Sequence, residues 1–131
     1  MRALVLVFGL LGVAGAGFIG LTAIMATRSL EKLVADTSTE ALVAHTNNRL
    51  VASVTAVVLG LAATVLVVSR RTKIAAVAFL IAYAAPVAAL AIPPQFYSTS
   101  ILLWTLAIHG GLAVAGVLSL YLKPKPIQEQ T

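Results

Sequence analysis

The chain has 131 residues, 60% of them hydrophobic and only 10% charged, where a soluble domain carries about 25%. So few charges cannot cover a water-facing surface, which indicates an integral membrane protein with a single membrane domain, residues 1–131. The complete lack of cysteine excludes disulfides, thiolate metal sites and thiol catalysis.

The formal charge of +5 does not indicate nucleic acid as a partner. The basic residues stand at the ends of apolar runs, where they orient the chain and meet anionic headgroups of the lipid bilayer.

The first apolar run covers residues 3–27. Arg2 and the segment Ala14-Gly15-Ala16 give it some likeness to a signal peptide, but the run continues past the length of a signal's hydrophobic region, so a retained helix is expected. Gly15-Ala16-Gly17-Phe18-Ile19-Gly20 matches the dinucleotide pattern G-x-G-x-x-G. That motif requires a preceding strand and a soluble βαβ unit, neither of which fits inside a span. Helix packing accounts better for these residues, because Gly12, Ala16 and Gly20 form a face of small residues spaced by four.

Residues 28–49 hold three acids and three bases (Glu31, Asp36, Glu40; Arg28, Lys32, Arg49). Leu30, Leu33 and Val34 fall at helical spacing, so the first helix is expected to run past the membrane surface to about Asp36. Thr37–Thr39 reads as a turn, and Thr37-Ser38-Thr39-Glu40 as a capping box opening a second helical piece. A helical corner on the outer surface is the expectation, with His45 solvated one turn before Arg49.

The remaining runs are residues 50–69, 74–92 and 101–122. Each approaches the ~20 residues needed to span ~30 Å of hydrocarbon, and none shows the alternation of barrel strands. The expected fold is therefore all-α, a four-helix membrane bundle. Pro86 should kink the third helix, and Pro93-Pro94 should end it. Tyr97 and Trp104 fit an aromatic belt on one face of the membrane, Tyr121 and Phe8 on the other. The polar tail, residues 123–131, is expected to be extended.

Arg2, Arg70, Arg71, Lys73, Lys123 and Lys125 fall on one side of such a bundle, against Arg28, Lys32 and Arg49 on the other. The positive-inside rule makes both termini cytoplasmic, in the manner of a bacterial inner-membrane protein.

His109 is the one group deep in these runs that titrates near neutral pH. Its functional readings are a haem ligand, a metal ligand, or a hydrogen-bonding partner of a quinone or other lipid-soluble molecule. Gly110 and Gly111 should leave space beside the ring. The plainer alternative is a neutral imidazole bonded across the bundle to Thr55, Thr105 or Tyr83. His45 would join His109 in a bis-histidine haem or metal site only if the second span began deeper than residue 50.

No Asp, Glu, Lys or Arg lies inside these runs, which disfavours coupled transport, and no nucleophile stands beside a base. The leading expectation is an accessory or structural subunit bound to other membrane subunits of a larger complex, of energy-transducing or oxidoreductase type. A redox or lipid-soluble-ligand-binding protein using His109, and a carrier of an uncharged solute, are the alternatives.

Overall fold

The computed structural model describes residues 1–31, 37–90 and 99–123. Four helices follow one another: α1 (Arg2–Glu31), α2 (Thr37–Val68), α3 (Thr72–Leu90) and α4 (Thr99–Leu120). Each is long and apolar enough to cross a membrane, and no strand occurs among the described residues. The likeness of Gly15–Gly20 to a dinucleotide motif thus falls within an uninterrupted helix.

Neighbours in sequence pack on each other, and α1 also packs on α4, so the helices form a closed ring of four. Short connections between such helices make consecutive ones antiparallel. The N-terminus, the link between α2 and α3 and the end of α4 therefore share one end of the bundle, called here the basic end.

Residues 69–71 turn the chain there. The N–H of Arg71 donates to the carbonyl of Leu66 (2.8 Å) and that of Arg70 to Val67 (3.1 Å), with Arg70 at φ 62°. This is the Schellman arrangement, which places a left-handed residue just beyond the helix. Arginine occupies the position that glycine usually takes.

The helices pack closely, which is what would hold them in a bilayer, where hydrocarbon offers apolar helices no hydrophobic drive to associate. Phe79 and Leu112, both fully buried, fill the half of the interior nearest the basic end together with Val5, Ala63, Val67 and Ala75. The α1–α4 contact is backbone on backbone. A Cβ on Gly12 would lie 2.6 Å from the Leu112 nitrogen, and one on Gly111 would lie 2.5 Å from the Phe8 carbonyl oxygen.

The small-residue faces differ from expectation in register. Gly15, not Gly20, continues the seam, with its Cβ position 2.5 Å from the Ile108 oxygen, whereas Gly20 faces Ser53 of α2. Phe8, expected at a membrane interface, packs against the core, while Trp104 and Tyr121 do point outward.

Two boundaries also move. Thr37–Thr39 belong to α2 and do not form a turn, and α2 runs unbroken to Val68, so the expected outer helical piece and second span are one helix. Its apolar window opens at Leu42, which brings Arg49 inside a span that the sequence reading had kept free of charge. α3 continues through Pro86, which is buried. The expected helical path to Asp36, the stop at Pro93-Pro94, Tyr97 and the tail beyond Lys123 lie outside the described residues.

Candidate functional site

The buried residues of α4 are Thr105, His109, Leu112, Ala115, Gly116 and Ser119, spaced by three and four, so one stripe faces the interior. His109 stands ten residues from Thr99, about 15 Å along the axis, which is close to the helix midpoint. It is 0% exposed.

The imidazole Nδ1 lies 2.9 Å from the carbonyl oxygen of Thr105, one turn back on the same helix. A carbonyl only accepts, so Nδ1 carries the proton and donates it. In the neutral ring this leaves Nε2 as a bare lone pair. Nε2 is buried and has no hydrogen-bond partner among the described residues. Of the expected partners it is thus Thr105 that bonds the ring, through its backbone carbonyl and along α4, not across the bundle. Thr55 spends its hydroxyl on the Val51 carbonyl of its own helix (2.9 Å).

Residues from all four helices surround a cavity at the His109 ring. Arg49 and Ser53 of α2 and Thr105 of α4 supply its polar wall, and Ile19, Pro86 and Leu90 close it with apolar groups. Its volume is about 10 Å³, close to the least that holds one water molecule. The Ser53 hydroxyl, on a residue 1% exposed, also has no partner. Other buried hydroxyls behave differently: Ser119 donates to Ala115 (2.7 Å) and Thr46 to Leu42 (2.9 Å). Two polar atoms are therefore left unbonded beside one small cavity. Each such atom costs about 1–3 kcal/mol.

The placement follows from α2. His45, Arg49 and Ser53 are four apart and share one face, which turns inward, while Val51, Val54 and Val58 turn outward. The helix carries its polar stripe on the inside and its apolar stripe on the outside. His45, expected at the surface, is only 5% exposed. It lies eight residues from Ser53, about 12 Å along the helix, and is not in the wall of the His109 cavity. Arg49 likewise is half-buried against the cavity and not fully solvated. The side chain of Glu40 lies outside the described residues.

The two glycines after His109 do not leave space at the ring. Gly111 is filled by α1, and only Gly110 has open space where a side chain would be. Among the described residues no three His, Asp or Glu side chains gather to hold a metal ion. Ser53 was not singled out from the sequence, because a serine in an apolar helix ordinarily bonds its own backbone. Its register with Arg49 was the available signal. Comparisons with protein-family models, with curated proteins and with solved structures give no match.

Proposed function

We propose that the chain is a multi-pass membrane protein, with both termini cytoplasmic, that binds a lipid-soluble molecule through a hydrogen-bonding head group at His109. The observation that carries this reading is the pairing of two unbonded, fully buried polar atoms, His109 Nε2 and Ser53 Oγ, beside one cavity. Tying one ring nitrogen to a backbone carbonyl fixes the tautomer and aims the other at a ligand. Histidines that only bridge helices use that second nitrogen within the protein.

Residence in a bilayer is supported by the outward faces, where residues such as Leu11, Val54, Val77 and Leu103 are more than half exposed. Trp104 and Tyr121, both outward, are seventeen residues apart on α4 and its end, or about 26 Å, near the thickness of the hydrocarbon layer. The space of about 10 Å³ beside Nε2 has no room for a haem, which needs a pocket of about 300–1,000 Å³.

The test is extraction. Protein purified from its own membranes in mild detergent is stripped with solvent and the extract analysed by mass spectrometry. A near-stoichiometric isoprenoid quinone or similar molecule should accompany the native chain and be lost from His109→Leu, which keeps the volume of the side chain. Equal amounts from both proteins would refute the reading. A native gel of the same material tests the accessory-subunit expectation, since a subunit of a larger complex migrates with its partners.

A further inference from the structure

We infer that the ligand reaches the His109 site sideways from the bilayer, with its chain in the groove between α1 and α2 and its head group stopping at Ser53. This rests on the reading of His109 above and says where the rest of the ligand lies.

The groove has a volume of about 270 Å³ and is lined by Gly17, Gly20 and Leu21 of α1 and by Ser53, Val54 and Val57 of α2, among others. Ser53 is the one lining residue with a polar side chain, and it also lines the His109 cavity. Ser53 is thus the shared wall between a wide apolar space and a small polar one.

Glycines open the groove. A Cβ on Gly17 would find nothing nearer than Val57 at 4.0 Å, so the position is vacant, and a Cβ on Gly20 would lie 3.3 Å from the Ser53 Cβ. Any larger residue at position 20 would press on the Ser53 side chain. The rim is apolar, with Leu21, Val54 and Val58 all more than half exposed. A water-soluble ligand gains nothing from such a rim, whereas an alkyl or isoprenoid chain does.

The head-group chemistry follows from the polar wall. The guanidinium of Arg49 can only donate, the Ser53 hydroxyl can donate and accept, and Nε2 of the neutral ring accepts. An oxygen-bearing head fits these groups, and a cationic one is repelled by Arg49. The cavity at His109 is too small for a ring, so the ring of the head group stays in the groove beside Ser53. A benzoquinone or quinol head on an apolar chain satisfies each condition.

The experiment uses a photoreactive azidobenzoquinone with a decyl chain, added to the purified full chain in detergent micelles, with the crosslinked residues mapped by mass spectrometry. Saturable labelling near Val54 and Val57 is expected. Gly17→Leu and Val58→Phe, which fill the groove from either side without meeting backbone, should each cut that labelling about tenfold at unchanged helical circular dichroism. Labelling that depends on His109, shown by its loss in His109→Leu, but ignores both groove variants or maps elsewhere overturns the lateral route and leaves the His109 reading standing. If the native chain shows no saturable labelling, or His109→Leu labels equally well, the His109 reading itself fails.

Discussion

Gly110 and Gly111 are neighbours in one helix, yet alanine at each should do opposite things. At Gly110 nothing lies within 4 Å of the new methyl group, whereas at Gly111 it would lie 2.5 Å from the Phe8 oxygen and 2.9 Å from the Gly12 nitrogen. Both substitutions gain the same helix propensity, about 1 kcal/mol. That shared gain cancels when the two variants are compared, so their difference isolates the steric term. Overpacking costs about 1–3 kcal/mol, and the upper end applies because the obstructing atoms are backbone and cannot change rotamer. Gly110→Ala should therefore stabilise by about 1 kcal/mol, and Gly111→Ala should fall about 3 kcal/mol below it. The assay is an SDS titration in mixed micelles followed by the near-UV circular dichroism of the aromatic side chains. Coincident midpoints for the two variants would refute the backbone contact between α1 and α4.

Three further outcomes are expected. Ser53→Ala should raise stability by about 1 kcal/mol in ligand-free protein, because it removes a buried hydroxyl with no partner, and should weaken ligand retention at the same time; a loss of stability would mean that the hydroxyl is bonded. Arg70→Gly should stabilise by about 0.5 kcal/mol, the left-handed conformation costing a side chain about 1–2 kcal/mol and the glycine's extra freedom when unfolded returning part of that; a loss above about 1 kcal/mol counts against the turn geometry. Because the chain has no cysteine, Ser29→Cys and Ser69→Cys, both beyond the spans, serve as single reporters of sidedness in intact cells. An impermeant maleimide should label position 29 and spare position 69, and the reverse pattern would invert the proposed topology.

How much was legible in the sequence differs between the spans and the site. The spans are composition averaged over about twenty residues, a signal that survives local irregularity. The capping pattern at Thr37–Glu40 marks where α2 begins, but the apolar run misses where its span begins, because polar residues need not face solvent. His45, Arg49 and Ser53 are polar yet face inward, so the helix is polar where the apolar run had been drawn as absent. Read as a stripe with a period of four, they point to the interior. His109 was visible as an ionisable residue at depth, but its partner was not, since nothing in the sequence separates a bond along α4 from one across the bundle. The glycine seam was visible as a set of small residues, while its rotation, which brings Gly15 to α4 and Gly20 to α2, depends on three-dimensional packing.

The inward stripe of α2 also constrains the order in which the protein can be made. When α1 and α2 have left the ribosome and α4 has not, Arg49 and Ser53 have no polar neighbour on α4 to face, and a lone arginine within a span costs about 2.5–3.5 kcal/mol at the centre and less toward the surface. That hairpin must wait, tilted or held at the insertion machinery, until α4 arrives with Thr105 and His109. Synthesis from the N-terminus thus leaves the last helix to complete the polar interior, and a chain truncated before Thr99 would expose in lipid the groups that its full-length form encloses. Such fragments should be short-lived in cells. Biogenesis of this bundle then hinges on α4 joining last.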